Sequence, residues 1–508
     1  MKRKSARVSV LLFSCVDRKK GSPPIWRDRW SVFPATRSRA SAVSRSMTSS
    51  SPQGVVFALG GEKKFGSLVT RDAPRCSLEL GFQPMVWYAL RTLENANVLD
   101  VFLVAAGEVN AGRFQTWVTE SYKGACVIQV VAAPEDADSA DALRAVQEKL
   151  TTQNVCVVSG DLVTDVSLDD VWQTHVTKNA SATCVYAKRR AWNTVETKTG
   201  RPPKGATYVG LSPDHHLLFA GDEDDVDKIL KLRRPMLRRA PQLTVRTDLL
   251  DAQLYVFHTQ TVMTLLTESN NKMKSIQLDL VPALARRRFA GSAGDEGLKS
   301  EENFKNADAD ASDTTANSEA SDSTELMAAV FGESTIRGDD ESVANVASRP
   351  CVAYLAPDRA YCARAETLSP AYFEIARELA SADAAAHLLG RPGSKYENFV
   401  DVDVTIGAKS TVGPGCIVGT GVVLGEKCSV KRSVVGAGAS IGSGVKLINS
   451  VVMRGAVVED GCVIQGSVVG QRAVVGTGTS LRECLVAQEY EVDEGEDFRG
   501  ETLAEKRH

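Results

Sequence analysis

Residues 412–447, which read VGPGCIVGTGVVLGEKCSVKRSVVGAGASIGSGVKL, decide the fold of the C-terminal region. Within this stretch an aliphatic residue recurs in steps of six, with one step of five, at Val412, Val418, Leu424, Val430, Val435, Ile441 and Leu447. A period of six fits neither an α-helix nor an alternating strand. It is typical of a left-handed parallel β-helix, in which three hexads form one triangular coil.

The same period extends in both directions. The further aliphatic positions are Ile406 on one side and Val452, Val458, Ile464, Val469, Val475 and Leu481 on the other. We therefore expect a β-helix over residues 396–487, followed by an acidic tail at 488–508. Glycine follows many of these positions, where a coil corner has no room for a Cβ atom. The region contains no histidine, which argues against acyl transfer and favours a rigid docking wall.

Composition limits the possible functions. The chain has 508 residues, enough for two or three domains, and no apolar run long enough to cross a membrane. The net charge of -3 divides into a surplus of ten basic residues in 1–46 and -13 in the remainder. We therefore expect no membrane contact and no direct binding of nucleic acid. Eleven cysteines without a C-x-x-C pair indicate buried thiols in the cytosol.

Two segments have compositions that cannot bury a core. Residues 1–52 are rich in Arg and Ser, and we expect a disordered basic extension. A secretory signal, an organelle transit peptide and a true start at Met47 all remain open for this extension. Residues 291–349 hold fourteen acids against four bases, which predicts a disordered acidic insert. Phosphorylation within the insert also remains open.

Residues 53–290 alternate short apolar runs with helical patterns. The strand-like runs are Val55–Leu59, Val101–Ala105, Cys126–Val131 and Val155–Ser159. Helical spacing of apolar residues at 86–93 and 143–150 separates them, which predicts a parallel α/β sheet with crossover helices. Residues 350–395 provide a connector that completes this α/β domain. Ligands of such sheets bind beyond the carboxyl ends of the strands, here the turns after Leu59 and Ser159.

The first of these turns reads GGEKKFG from Gly60 and is followed by Pro74-Arg75. It resembles the phosphate loop of sugar-phosphate nucleotidylyltransferases, G-G-x-G-T-R followed by P-K-P, and implies their Rossmann-like sheet. Gly60 and Gly61 match this pattern. The resemblance places Phe65 at the family's arginine, which offsets charge on the leaving pyrophosphate, and Arg75 at its lysine.

The resemblance also places Asp161, after the strand 155–159, at a metal-binding aspartate of the family. The second acid of active relatives comes from a W-x-D-x-G segment, and no Trp follows Trp192. In the base-reading stretch, Asp138 stands in for a glycine. We therefore predict a vestigial nucleotide site of Gly60, Gly61, Arg75 and Asp161, with no catalytic residue, bound metal or cofactor.

A nucleotidyltransferase-like sheet followed by hexad repeats resembles the gamma and epsilon subunits of eukaryotic translation initiation factor 2B. The resemblance to the gamma family covers 53–290 and 350–487, and it includes the run Ser433-Val434-Val435-Gly436, which recurs at Ser467-Val468-Val469-Gly470. It implies a non-catalytic scaffold subunit of a guanine nucleotide exchange complex. The implied partners are the epsilon subunit, the alpha, beta and delta regulatory subunits, and GDP-bound initiation factor 2.

Two alternatives stay open. One is an active sugar-phosphate nucleotidylyltransferase that makes GDP-mannose or a similar product. The other is a regulatory pseudoenzyme that binds a nucleotide or sugar nucleotide without turnover.

Overall fold

The computed structural model describes residues 52–60, 65, 74–81, 83–190, 207–222, 232, 234–269, 272–287, 349–367, 371–379, 388 and 398–504. The basic extension up to residue 51, Gly61 and residues 291–348 of the acidic insert lie outside these ranges. All of the described residues belong to one compact unit.

The α/β domain comprises the following strands: β1 Gln53–Ala58, β2 Glu79–Leu80, β3 Gln83–Pro84, β4 Asp100–Ala106, β5 Val127–Ala133, β6 Asn154–Ser159, β7 Leu162–Thr164, β8 Ala182–Lys188, β9 Thr207–Leu211, β10 Leu217–Asp222, β11 Thr244–Arg246, β12 Leu249–His258, β13 Cys351–Leu355 and β14 Cys362–Arg364. Its α-helices are α1 Met85–Asn95, α2 Glu108–Glu120, α3 Ser139–Ala145, α4 Leu168–Thr177, α5 Arg234–Arg239, α6 Thr259–Glu268, α7 Val281–Arg287 and α8 Phe373–Glu378. Arg75–Ser77 and Gln147–Lys149 form 3-10 turns, and Ile276–Leu280 forms a π-helix.

The main sheet has the strand order β13-β8-β12-β6-β1-β4-β5. Its strands run parallel except β12, which is antiparallel to both β6 and β8. The four strands expected from apolar runs are confirmed as β1, β4, β5 and β6. Both faces of the sheet are buried, because Val55 and Phe57 contribute to one apolar core while Val56 and Ala58 contribute to the other. None of the described helices is long and apolar enough to span a bilayer.

The second expected helix is shorter than the spacing of Leu143, Val146 and Leu150 suggests. Asp138 caps the start of α3 and the helix ends at Ala145, after which Gln147–Lys149 is a 3-10 turn. Leu143 and Val146 are nevertheless fully buried against the sheet. The apolar spacing therefore identified the buried side chains correctly, although the backbone changes its hydrogen-bonding pattern within the segment.

The C-terminal domain is a β-helix of short parallel strands. Its strands are β15 Phe399–Val400, β16 Thr405–Ile406, β17 Thr411–Val412, β18 Ile417–Val418, β19 Val423–Leu424, β20 Ser429–Lys431, β21 Val434–Val435, β22 Ser440–Ile441, β23 Lys446–Ile448, β24 Val451–Val452, β25 Val457–Val458, β26 Val463–Gln465, β27 Val468–Val469, β28 Val474–Val475, β29 Ser480–Arg482, β30 Leu485–Val486, β31 Glu491–Val492, β32 Asp497–Arg499 and β33 Thr502–Leu503.

Every third strand joins the same sheet, so the coil has three flat faces. The three sheets run β15-β18-β21-β24-β27-β30-β33, β16-β19-β22-β25-β28-β31 and β17-β20-β23-β26-β29-β32. The aliphatic hexad positions from Leu424 to Leu481 point inward and form one core. Successive coils touch at the corners: a Cβ on Gly425 would lie 2.6 Å from the carbonyl carbon of Gly442. The expected crowding at this corner glycine is therefore present.

The β-helix extends beyond the boundary expected at residue 487. Strands β31, β32 and β33 add a further coil where an acidic tail at 488–508 was expected. Val486, Val492 and Leu503 continue the inward apolar positions and are buried. The acidic residues that suggested a tail, such as Glu491 and Asp497, are exposed on this coil.

One face of the β-helix packs against the α/β domain, and we call it the covered face. On its strands the outward residues are apolar as well as the inward ones: Ile417, Val434, Val451 and Val468 are all buried. They share a core with residues of the α/β domain, namely Phe65, Leu78, Leu80, Met85, Tyr88, Tyr372 and Leu379. At the edge of this core, Arg454 of the β-helix forms an ion pair with Glu79.

A charge placed inside the coil should be far more damaging than the same charge outside. Ile441 is 1% exposed, whereas Ser440 on the same two-residue strand is exposed. We expect Ile441→Asp to lower the free energy of unfolding by about 4 kcal/mol or more, because an unpaired carboxylate would leave water. The control Ser440→Asp should change it by less than about 0.5 kcal/mol. Urea unfolding followed by circular dichroism measures both, and equal losses would contradict the inward position of Ile441.

Candidate functional site

The ends of β1 and β6 lie side by side, because these two strands are paired in the sheet. The backbone N–H of Gly160 donates to the carbonyl of Phe57 at 2.8 Å. A Cβ on Gly160 would lie 2.6 Å from that same oxygen, so only glycine permits this approach. The close contact holds the residue that follows, Asp161, near the end of β1.

Gly60 has a φ of 40°, in the left-handed region that glycine adopts readily. It is exposed, and a Cβ there would meet nothing within 4 Å. Its backbone angle, rather than crowding, therefore favours glycine at this position. The predicted partner of Gly60, Gly61, lies outside the described residues.

Asp161 is completely buried, and its carboxylate makes four polar contacts. Arg364 approaches both carboxylate oxygens, with Nε at 3.3 Å from Oδ1 and Nη2 at 3.2 Å from Oδ2. Arg75 places Nη2 at 3.3 Å from Oδ2, and the hydroxyl of Ser159 donates to Oδ1 at 2.5 Å. The structure thus brings together two of the sequence-predicted site residues, Arg75 and Asp161, as an ion pair.

The charge state of this cluster follows from its contacts. Burial by itself raises the pKa of Asp161, but Arg364 and then Arg75 outweigh burial and hold the pKa below its ordinary value. Burial lowers the pKa of Arg364, yet Asp161 and Glu366 raise it above the ordinary value overall. The carboxylate and both guanidinium groups are therefore charged at neutral pH.

A second buried carboxyl, Asp251, lies on β12. It accepts hydrogen bonds from the backbone N–H of Gln253 at 2.8 Å and from the hydroxyl of Tyr255 at 2.8 Å. Burial raises its pKa to about 6. Gln253, which donates one of these hydrogen bonds, has a φ of 50°, a left-handed conformation that is uncommon outside glycine.

Asp138, expected to stand where a nucleotide base is read, has a structural contact. Its carboxylate accepts a hydrogen bond from the backbone N–H of Ser139 at 2.7 Å and caps helix α3. A carboxylate at a helix start is favourable because the first backbone N–H groups lack partners.

Phe65, at the position of the family's arginine, is fully buried. Its ring meets that of Tyr372 edge to face, with centroids 6.3 Å apart and an interplanar angle of 80°. Leu80 and Met85 belong to the same core beneath the covered face. Phe65 therefore packs between the two domains.

The sequence analysis did not identify Arg364. This arginine lies on β14, in the connector, and strand pairing places it beside β7. The run Cys362-Ala363-Arg364-Ala365-Glu366 contains none of the fixed residues of W-x-D-x-G, so no local sequence signal marked this arginine.

The structure offers no assembled metal centre within its described ranges: no three His, Cys, Asp or Glu side chains are grouped there as ligands. A cavity of about 290 Å³ lies elsewhere, where α2 meets the β-helix. Phe114, Trp117, Gln471 and Arg472 contribute to its wall, and Asp161 does not.

Two family models match the chain. Residues 55–193 match the nucleotidyl transferase family, and residues 395–497 match the left-handed β-helix domain described for the epsilon subunit of EIF2B. The class that the fold and site define is therefore a nucleotidyltransferase-like α/β domain joined to a left-handed β-helix. The fold expected from the sequence is confirmed.

Curated relatives resemble the chain over both domains. The gamma subunit of translation initiation factor eIF2B from Dictyostelium discoideum is 25% identical over 410 residues, covering 76% of this chain and 88% of the relative. The gamma subunit from Schizosaccharomyces pombe is 27% identical over 389 residues, covering 74% and 73%. The epsilon subunit from the same yeast is 24% identical over 196 residues, covering 37% and 28%. The expected resemblance to eIF2B gamma subunits is confirmed.

Restoring the family's arginine at Phe65 should destabilise the protein. We expect Phe65→Arg to lower the free energy of unfolding by about 3 kcal/mol or more, because the described core around the ring is apolar. Phe65→Leu, the control, should cost no more than about 1.5 kcal/mol. Denaturant unfolding of both variants makes the comparison. If Phe65→Arg is as stable as Phe65→Leu, the side chain faces an open cleft instead.

Proposed function

We propose that this chain is a non-catalytic subunit of the guanine nucleotide exchange complex that promotes GDP release from translation initiation factor 2. The observation that carries this proposal is the similarity to eIF2B gamma subunits across about three quarters of the chain. That similarity is supported by matches to both domain types in the same chain order.

The proposed partners are the epsilon subunit and the alpha, beta and delta regulatory subunits of initiation factor 2B. The proposed target is GDP-bound initiation factor 2, in the cytosol. The β-helix supports a role in assembly, because it provides flat, rigid faces built from backbone ladders. Among the described residues, the α/β domain packs against one of these faces.

A non-catalytic role is supported by the state of the nucleotide site. Nucleotidyl transfer needs fixed cations that offset charge on the transferring phosphate. At the position of the family's arginine stands the buried ring of Phe65, and Arg75 is paired with Asp161. The four predicted residues Gly60, Gly61, Arg75 and Asp161 are proposed as a vestige of the phosphate and metal site.

Affinity capture of the tagged full-length chain from its native cell tests the exchange role. We expect recovery of the other four initiation factor 2B subunits and of initiation factor 2. The Ser440→Asp variant is captured in parallel. Its change lies at an exposed position of β22, so a partner lost only from this variant binds that face of the coil. Recovery of sugar-nucleotide enzymes, with no initiation factor, would contradict the proposal.

The match of residues 55–193 to the nucleotidyl transferase family favours one second candidate, a sugar-phosphate nucleotidylyltransferase or its regulatory pseudoenzyme. Incubation of the purified chain with GTP, Mg²⁺ and mannose 1-phosphate tests turnover. We expect no pyrophosphate release above that of the Asp161→Asn variant. Release that depends on Asp161 would support the enzyme, while calorimetric binding of GDP-mannose or GTP without turnover would support the pseudoenzyme.

A further inference from the structure

We infer that Arg364 is a built-in cation that takes the place of a divalent metal ion at Asp161. The inference deepens the proposed function and rests on its non-catalytic part, because a working nucleotidyl transferase would need that metal. It adds a specific cause for the absence of catalysis. A positive side chain from the connector occupies the metal position at Asp161, and Phe65 stands where the family has its arginine.

The fold delivers Arg364 to this position. Strand β14 pairs antiparallel with β7, and its register sets Arg364 opposite Leu162, the residue after Asp161. The backbone N–H of Ala365 then donates to the carbonyl of Asp161 at 3.0 Å. This backbone hydrogen bond fixes the two strands beside each other, and the guanidinium of Arg364 then contacts the Asp161 carboxylate directly.

The carboxylate of Asp161 has no oxygen left for a metal. Oδ1 accepts hydrogen bonds from the Ser159 hydroxyl and from Nε of Arg364. Oδ2 accepts a hydrogen bond from Nη2 of Arg364 and forms an ion pair with Nη2 of Arg75. Magnesium binds carboxylate oxygens at about 2.0–2.1 Å in a near-ideal octahedron and keeps several waters. The two guanidinium groups occupy the directions from which such an ion would approach.

The charges around Asp161 point the same way. Arg364 and Arg75 both contact its carboxylate, and Arg364 also contacts Glu366. Asp161 is fully buried and the Arg364 side chain is 7% exposed. A divalent cation added at Asp161 would lie beside two fixed positive groups and would be repelled by both.

Manganese binding provides the first test. Mn²⁺ is titrated into the full-length chain and into Asp161→Asn, and free Mn²⁺ is measured by electron paramagnetic resonance. We expect the same binding in both proteins up to millimolar Mn²⁺. A site present in the unaltered chain and lost in Asp161→Asn would overturn the inference.

A double-mutant cycle provides the second test. Arg364→Met and Asp161→Asn should each lower the melting temperature by on the order of 10 °C, because each leaves a buried charge without its partner. The double variant should lose much less than the sum of the two. The exposed ion pair of Lys188 and Asp358 is the control, and Lys188→Met with Asp358→Asn should show little coupling.

Additive losses at Asp161 and Arg364 would overturn the inference. If Arg364→Met does not fold, recovery of folded protein on adding Asp161→Asn supports it, and no recovery overturns it. Neither measurement involves the exchange complex, so the capture experiment can fail without affecting this result.

Discussion

Burial on both sides of the same short strands is the constraint on which the rest of the structure depends. A two-residue strand of the β-helix has one inward and one outward side chain. On the covered face both are apolar, as in the pairs Val434 and Val435 or Val451 and Val452. The outward side chains can leave water only beneath another element, so they fix the α/β domain against the coil. The hairpin of β2 and β3, the ring of Phe65 and helix α8 are placed around this contact.

The sequence predicted the two architectures because both have strong periodic signals. Few folds place an inward side chain every six residues, as Val418 and Leu424 require. The apolar runs at β1, β4 and β6 are too short for helices. The predicted end of the β-helix was wrong because exposed acids outnumber the inward residues in the last coil. Val492 and Leu503 continue the inward positions, but the acidic composition of residues 488–508 suggested a tail.

The candidate site was only partly predictable for a different reason. Gly60 and Asp161 follow strands, so the rule that ligands bind at carboxyl ends finds them without a structure. Arg364 reaches Asp161 across 203 positions of sequence, through a strand pair of three residues. No local pattern encodes that pairing. The role of Phe65 was hidden in the same way, since its neighbour Tyr372 belongs to the connector.

The acidic residues of the last described coil bear on how copies of this protein meet in solution. Glu491, Asp493, Glu494, Asp497 and Glu501 are exposed there, and Arg499 is the exposed base among them. Charges of one sign on two approaching surfaces repel each other, the more so at low ionic strength. Two copies that approach each other through these coils therefore meet an electrostatic barrier.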